Sequence, residues 1–306
     1  MRLLTRSDFD GLVCGVLLAE AGVIDSYHFV HPKDVQDGLV QVTANDVLTN
    51  VPFIPGCGLW FDHHSSEMER LKLMKEHHFR GTSAPSPSCA RLVYNYFGGR
   101  ERFRKFDESG LMDAVDRSDS GQVTMEEVMN PRGWMLVSFI MDARTGLDRY
   151  SDYRITIQEL MKDMIRYCRT LPVDQVLKVP DVQERVTRYF EQEKAYEEMI
   201  RSCAAALGNV LLIDLHDVKE IVSGNRFKEY VLFPGQNVSL RVLWGRGRLR
   251  MVFSCGHSIF NRTCRTDVGS LLLKYGGGGH KMVGTCQVPA ERWETVRDEL
   301  IGALRE

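Results

Sequence analysis

The chain begins with residues 1–12, MRLLTRSDFDGL, which predict how its first strand and helix meet. The apolar pair Leu3–Leu4 predicts a short buried strand, and an apolar pattern with helical spacing begins after Gly11. Asp8 and Asp10 stand between the two, at the carboxyl end of the strand. Two like charges in this position are unfavourable unless a positive group lies close to them. The sequence therefore predicts a cation, from the protein or bound to it, at this end of the strand.

The composition is typical of a soluble globular protein. The chain has 306 residues, of which 43% are hydrophobic and 26% charged, and this length suffices for two domains. The net charge of -2 argues against a protein that coats long duplex nucleic acid through a basic face. The eight cysteines form no CxxC pair, and the sequence carries neither a leader pattern nor an apolar run of membrane-spanning length. We therefore expect a reduced, cytoplasmic protein that contacts no membrane.

Short apolar runs alternate with helical patterns over residues 1–120. This alternation predicts a parallel sheet covered by helices on both faces. Ligands of such sheets bind beyond the carboxyl ends of the strands, so we expect the functional site at that edge. The predicted strands are Leu3–Thr5, Tyr27–Val30, Leu39–Thr43 and Leu59–Phe61.

The second part of the sequence has a different pattern of predicted elements. Residues 180–206 have the pattern of a long helix, and strand-like runs follow at 209–215, 229–233, 238–244 and 249–254. The expected fold class is α/β. It comprises a Rossmann-like parallel-sheet domain over residues 1–175, a helical linker over 176–208, and a smaller α/β domain with a mixed sheet over 209–306.

Acidic residues and histidines cluster near the ends of predicted elements. The strand at 59–61 leads directly into an aspartate and two histidines, which favours metal or phosphate binding over a solvated loop. Carboxylates with a few imidazoles and no thiolates suit Mn²⁺, or Mg²⁺, better than a structural zinc ion. The candidate ligands are Asp8, Asp10, Asp46, Asp62, His63, His64, Asp116 and Asp119.

Residues 274–284, KYGGGGHKMVG, place four consecutive glycines between a helical pattern and a strand-like run. A helix needs one glycine at its carboxyl end, not four. The glycines favour a loop whose backbone N–H groups approach an anion closely, with His280 as a further donor. A flexible turn is the alternative, but such a turn does not call for a histidine. A Walker loop is excluded because no GK[ST] follows.

The motifs SDFDG, FDHH and GGGGH, in this order, resemble those of the DHH–DHHA1 phosphoesterases, which include RecJ-type exonucleases and nanoRNases. The stretches FVHPKDVQDG, GWMLVSFIMDARTGL and CGHSIFNR resemble the exopolyphosphatase-related branch most. The resemblance implies a DHH domain, a DHHA1 substrate-binding domain and an Mn²⁺-dependent phosphoesterase. Its substrates would be short and nucleotide-like, of the oligonucleotide, nanoRNA or nucleoside bisphosphate type. Hydrolysis of inorganic polyphosphate and a nucleotide-binding regulatory role with weakened catalysis remain alternatives, and the protein would be a monomer or a homodimer.

The resemblance also implies roles for individual residues, with one or two metal ions bound. Asp46 would bridge the two metals, and Asp116 is the rival of Asp119. The implied metal ligands are Asp8, Asp10, Asp46, His63 and Asp119. The implied catalytic residues are His64, Asp62 and Arg6. The implied substrate-binding residues are Gly277, Gly278, Gly279, His280, His257 and Arg262.

Arg6 departs from the family pattern, which usually has a histidine two residues before the first aspartate. An arginine cannot ligate a metal because its guanidinium stays protonated. Arg6 would either replace part of the charge of a missing metal beside Asp8 or grip the scissile phosphate. In both cases we expect fewer or weaker metals than in a site with a histidine.

Overall fold

A five-stranded parallel sheet organises the first part of the chain in the computed structural model, which describes residues 1–74 and 78–305 apart from the side chains of Ser66 and Arg246. The strand order is β2-β1-β3-β4-β5, and every neighbouring pair is parallel. The predicted Rossmann-like sheet is therefore confirmed. The strands are β1 (Arg2–Arg6), β2 (Ser26–Val30), β3 (Asp46–Thr49), β4 (Leu59–Asp62) and β5 (Gly81–Ser83).

Helices connect most of the strands of this sheet, and further helices follow along the chain up to residue 304. Among the described residues, no helix combines the length and the apolar character that crossing a bilayer requires. The α-helices are α1 (Phe9–Glu20), α2 (Pro32–Gln36), α3 (Ser65–Leu73), α4 (Cys89–Tyr96), α5 (Gly99–Glu108), α6 (Leu111–Asp119), α7 (Met125–Met129), α8 (Gly133–Met141), α9 (Ile157–Thr170), α10 (Val173–Val176), α11 (Pro180–Cys203), α12 (Lys228–Leu232), α13 (Val268–Leu273) and α14 (Trp293–Leu304).

A six-stranded sheet organises the second part of the chain. Its order is β10-β11-β9-β8-β7-β6; the β7–β8 pair is parallel and the other pairs are antiparallel. This mixed sheet and the long helix α11 confirm the predicted fold class. The strands are β6 (Ala204–Leu207), β7 (Val210–Asp214), β8 (Val238–Trp244), β9 (Arg250–His257), β10 (Gly278–His280) and β11 (Val283–Pro289).

Contacts divide the chain into two units, one of residues 1–123 with 130–191, the other of 124–129 with 192–306. The division falls inside α11, whereas the sequence-based limits set residues 176–208 apart as a linker. Residues Tyr196, Met199 and Ile200 explain the difference, because they pack with Leu211 and Ile213 of β7 in one apolar cluster. The second half of α11 is thus part of the core of the second unit.

The predicted strand at 229–233 is wrong, since these residues belong largely to α12. Buried polar side chains hold this short helix. Lys228, only 1% exposed, pairs with Glu193 and Glu197 of α11. Glu229 accepts a hydrogen bond of 2.6 Å from Arg241 of β8. The apolar residues of the segment give no sign of these ion pairs, which decide its conformation.

The turn from β1 into α1 brings two backbone segments very close together. A Cβ atom at Gly11 would lie 2.1 Å from the carbonyl oxygen of Arg6, so only glycine fits. Asp8 caps α1, because its Oδ1 accepts a hydrogen bond of 2.9 Å from the Gly11 backbone N–H. The turn therefore fixes both the end of the strand and the direction of the Asp8 side chain.

Asp46 begins β3 instead of following a strand, and the predicted strand at 39–43 is absent from the described structure. The strand register pairs Asp46 with Arg2, at the amino edge of the sheet. Its carboxylate accepts hydrogen bonds of 2.7 and 2.9 Å from Arg2 and of 2.7 Å from the Thr43 backbone. Burial alone would raise the pKa of Asp46, but these bonds lower it. The prediction that Asp46 bridges two metals is wrong, because it lies at the opposite edge from Asp8.

We expect the Asp46→Asn variant to lose stability while it keeps its metal affinity. The amide cannot accept all the bonds that the carboxylate accepts, so the free energy of unfolding should fall by about 1–3 kcal/mol. Denaturant unfolding and Mn²⁺ titration by calorimetry check both parts. A variant as stable as wild type that no longer binds Mn²⁺ would contradict this account.

Candidate metal centre

Three neighbouring strands end at the carboxyl edge of the parallel sheet with polar side chains. Because these strands are parallel and adjacent, the residues that follow them meet at one edge. Helix α6 ends with a further carboxylate, Asp119, which reaches the same place. The residues gathered there are Asp8 and Asp10 after β1, Asn50 after β3, and His63 and His64 after β4.

Asp10 is a buried carboxylate that is only 2% exposed. Its two oxygens accept hydrogen bonds of 2.9 and 2.8 Å from the backbone N–H groups of Cys89 and Ala90, in the first turn of α4. The N-terminal amides of a helix favour a negative charge. Burial and the charges of Asp119 and Asp8 nevertheless raise the pKa of Asp10 to about 8. Without a bound cation, this group is therefore hard to ionise.

His63 links Asp10 to Asp119. Its Nε2 atom lies 3.7 Å from Asp10 Oδ2 and 3.3 Å from Asp119 Oδ2. Its Nδ1 atom lies 3.1 Å from the carbonyl oxygen of Ser86, which can only accept a hydrogen bond, so Nδ1 carries the proton. Burial lowers the pKa of His63, but the carboxylates of Asp119 and Asp10 outweigh burial and raise it. The neutral imidazole would direct the lone pair of Nε2 towards the two carboxylates.

These three side chains fit a divalent cation. Asp10, His63 and Asp119 each offer one ligand atom, and the three atoms lie within 4.8 Å of one another. Two carboxylates and one imidazole suit Mn²⁺ or Mg²⁺. The backbone acceptor of His63 is the kind of outer partner that fixes a metal-binding imidazole. A cation here would also relieve the repulsion that raises the pKa of Asp10.

Asp116 and Asp119 both lie on α6, but only Asp119 reaches His63. The Asp116 carboxylate accepts hydrogen bonds of 2.8 and 2.5 Å from Arg91 and of 2.6 Å from the Ser88 hydroxyl. Ser88 in turn caps α4. Asp116 therefore supports the helix that holds Asp10, whereas Asp119 faces the candidate metal centre.

Asn50 is a residue of this edge that sequence reasoning missed. It follows β3 directly, has a left-handed φ of 56°, and is 2% exposed. Its Nδ2 donates a hydrogen bond of 3.1 Å to Asp8 Oδ1, while its own Oδ1 has no hydrogen-bond partner among the described residues. The other Asp8 oxygen lies 3.0 Å from Arg6 Nε. Placing β3 at 39–43 hid Asn50, since the true strand ends at Thr49.

Asp62 and His64 form a second carboxylate–imidazole pair. Asp62 is the last residue of β4 and is 0% exposed. Its Oδ1 lies 2.9 Å from His64 Nδ1. A buried carboxylate in this position orients the imidazole ring. The pair is suited to holding or transferring a proton at Nε2 of His64.

Arg144 is a second residue that sequence reasoning did not single out, although it lies in the stretch 133–147 used for the family resemblance. It lies in a 3₁₀ turn, Ala143–Thr145, and its Nε donates hydrogen bonds of 2.8 and 3.1 Å to the Asp142 carboxylate. Its side chain is 43% exposed. Partial burial of the guanidinium opposes charge, but Asp142, Asp8 and Asp119 raise the pKa of Arg144. The guanidinium is therefore within electrostatic reach of the candidate metal centre.

The glycine-rich segment lies in the second unit and forms β10 against β11. A Cβ atom at Gly277 would lie 2.1 Å from the Thr285 carbonyl oxygen. Gly279 has a φ of 148°, and a Cβ atom there would lie 2.2 Å from the Val283 carbonyl oxygen. Backbone packing thus accounts for both glycines. A Cβ atom at Gly278 would meet no atom within 4 Å, so packing gives no reason for that glycine.

The other predicted substrate-binding residues also lie in the second unit. Gly256, Val283 and His280 share one register across β9, β11 and β10, which brings His257 to the same end of the sheet as His280. The ring Nε2 of His257 is 2.8 Å from the Thr266 carbonyl oxygen. Arg262 is exposed in the loop that follows and donates from Nε to the Ile259 carbonyl oxygen.

We expect Asp119→Asn to weaken Mn²⁺ binding at least about tenfold, because a ligand carboxylate is replaced by a poorer donor. The melting temperature of the metal-free variant should be equal or higher, since one charge that opposes ionisation of Asp10 is removed. Asp116→Asn, on the same helix, is the matched control. It should bind Mn²⁺ normally and melt earlier, because the amide has one acceptor oxygen for the bonds that Arg91 and Ser88 donate to two. The reverse pattern between the two variants would exclude Asp119 as a ligand.

Comparison with known proteins defines the family. The chain is 43% identical to the pGpG-specific phosphodiesterase PggH from Vibrio cholerae, over 99% of this chain and 98% of that one, with a TM-score of 0.78. RecJ from Thermus thermophilus, solved with Mn²⁺, is 12% identical; the match covers 98% of this chain and 51% of RecJ, with a TM-score of 0.50, and shows a likeness of fold. A scan against family models found no match, and neither did a search of curated proteins. The expected family is confirmed by the match to PggH over nearly the full length of both proteins: this chain belongs to the DHH family of phosphoesterases.

Proposed function

We propose that this phosphoesterase hydrolyses the phosphodiester bond of a short linear dinucleotide such as pGpG. The proposal rests on the 43% identity to PggH over nearly the whole of both chains, combined with the Asp10–His63–Asp119 cluster. The net charge of -2 is in keeping with a short substrate rather than a long nucleic acid.

Asp10, His63 and Asp119 would hold the divalent cation of this reaction, and Mn²⁺ is the ion we propose. When bound, the cation would lower the pKa of a water molecule and offset charge on the phosphate. Mg²⁺ suits the same oxygen ligands, but an imidazole ligand favours Mn²⁺. The α4 amides hold Asp10 in place for this role, and the Ser86 carbonyl holds His63.

His64 supplies the proton that the leaving group needs. Hydrolysis joins a water oxygen to phosphorus and breaks the bond between phosphorus and the 3′-oxygen of the first nucleoside. Asp62 holds His64 through Nδ1, and the protonated ring donates from Nε2 to the departing 3′-oxygen. The products are two nucleoside 5′-monophosphates.

The glycine-rich segment of the second unit binds a phosphate of the substrate. Gly278 leaves its backbone open to a ligand, because no atom lies near the position of a Cβ there. Gly277 and Gly279 bring the strand into this conformation. His280 and His257 lie at the same end of the sheet, and Arg262 follows in the loop after β9, where these side chains would add polar contacts to the substrate. These contacts bind the substrate and take no part in the chemical step.

Cleavage of pGpG in the presence of Mn²⁺, followed by chromatography of the nucleotides, tests the proposed function. Wild type should release guanosine monophosphate as its only nucleotide product. His63→Asn should lose at least about 100-fold in kcat/KM, because the cation is no longer held in place. The exposed His28 of β2 provides the control, and His28→Asn should retain full activity. A faster release of phosphate from inorganic polyphosphate than of guanosine monophosphate from pGpG would refute the proposed substrate class.

The Gly278→Ala variant separates a binding role of the glycine-rich segment from a packing role. A methyl group fits sterically at this position, so the melting temperature should not change. Lost backbone contact with the substrate should raise KM several-fold and leave kcat nearly unchanged. Gly235→Ala, where the added Cβ also meets no neighbour, is the control and should change neither constant. An unchanged KM in Gly278→Ala would remove the segment from the substrate site.

A further inference from the structure

Two arginines of the first unit each bring Nε close to an aspartate, Arg6 in an ion pair and Arg144 through hydrogen bonds. Arg6 Nε lies 3.0 Å from Asp8 Oδ2, and Arg144 Nε donates to Asp142 Oδ1 at 2.8 Å. Their terminal nitrogens donate no hydrogen bond to any residue within 1–74 and 78–305. A guanidinium fixed through Nε presents its two terminal NH₂ groups as a rigid pair of donors. The side chains are 36% and 43% exposed, so a ligand can reach both.

The charges of the side chains at the carboxyl edge of the parallel sheet sum to the value that one divalent cation neutralises. The ion pair with Arg6 offsets the charge of Asp8, and Asp142 and Arg144 offset each other. Asp62 is paired with His64, which carries a proton in the proposed reaction. Asp10 and Asp119 then carry the remaining two negative charges, beside a His63 that is neutral when it acts as a ligand. A second divalent cation would leave an excess of two positive charges in a partly buried site, which is unfavourable.

Asp8 also lacks the arrangement of a metal ligand. Its Oδ1 accepts hydrogen bonds from the Gly11 backbone and the Asn50 amide, and its Oδ2 faces Arg6. Asn50, after the adjacent strand, is neutral and directs its NH₂ group at Asp8. Protein donors therefore already occupy Oδ1, and the positive charge of Arg6 beside Oδ2 disfavours a second cation there.

We propose that this site takes one divalent cation, and that Arg6 and Arg144 bind the non-bridging oxygens of the scissile phosphate in place of a second one. The inference rests on the proposed phosphodiesterase function. Planar guanidinium groups match two phosphate oxygens at once, and their attraction grows as negative charge develops on those oxygens. Arg144 lies in the turn that directly follows α8, and α8 contacts both α1 and α6, the helices that carry Asp10 and Asp119. The effect of Asp8 and Asp119 on the pKa of Arg144 agrees with this placement.

The Arg6→Gln variant tests this inference, and strand β1 offers a matched control. Arg2, at the other end of the strand, is 39% exposed and pairs through Nε with an aspartate, as Arg6 does. We expect calorimetry to find one Mn²⁺ per wild-type chain. Arg6→Gln should bind Mn²⁺ as tightly or more tightly, because a nearby positive charge is removed. Its kcat/KM for pGpG should fall about 10²- to 10³-fold, as should that of Arg144→Gln. Arg2→Gln should stay within about twofold of wild type in kcat/KM, since it affects only the amino edge.

Three results would overturn the inference. One is a wild-type protein with two Mn²⁺ sites of equal affinity. Another is a kcat/KM in Arg6→Gln that matches Arg2→Gln. The third is loss of Mn²⁺ affinity together with activity in Arg6→Gln, which would show that Arg6 only positions Asp8. The titration uses no substrate, so a wild type that leaves pGpG intact would refute the proposed function separately, while the one-cation claim is still decided by the titration.

Discussion

The buried carboxylate of Asp10 is the group on which the rest of the site depends. Two α4 amides hold it, yet burial and the neighbouring aspartates still raise its pKa to about 8. A negative charge in this position is stable only with a cation close by. His63 and Asp119 stand where they can share that cation. The fold thus carries an electrostatic cost in the metal-free state that a bound cation would remove.

The aspartates at the two edges of the parallel sheet differ in how fully the protein satisfies their hydrogen bonds. At the amino edge, Arg2 and Thr43 satisfy both oxygens of Asp46, and the group is structural. At the carboxyl edge, Arg6 meets Asp8 through Nε, and its terminal nitrogens donate to no residue of the described ranges. The pair of Asp46 is thus satisfied within the protein, whereas the pair of Asp8 leaves donors for the phosphate-binding role proposed for Arg6.

Much of the fold and part of the site follow from sequence patterns. Alternating strands and helices predicted the parallel sheet, and His63 and His64 follow a strand that was placed correctly. Val40 and Val42 misled the prediction of β3, because they pack against the apolar core without forming a strand. Because the strand was predicted at 39–43 instead of at Asp46–Thr49, Asp46 was expected after its carboxyl end, where Asn50 in fact lies.

Other features depend on contacts that no local pattern reveals. Asp116 and Asp119 differ only in which neighbours α6 brings to them. The segment 229–233 is helical because distant carboxylates and an arginine bury its polar residues. The sequence did not indicate a role for Arg144, because its electrostatic interaction with Asp8 and Asp119 depends on the fold. For Gly277 and Gly279, the close approach of β11 supplies a reason that the motif alone did not indicate.

A crystal structure with Mn²⁺ would show how many cations the site takes and which residues hold them. Crystals grown with Mn²⁺ and measured near the manganese absorption edge would show each ion as a peak in the anomalous difference map. We expect one peak, within coordination distance of Asp10, His63 and Asp119, with the Arg6 guanidinium still beside Asp8. A second peak of similar height on Asp8, or a single peak on Asp8 alone, would contradict it.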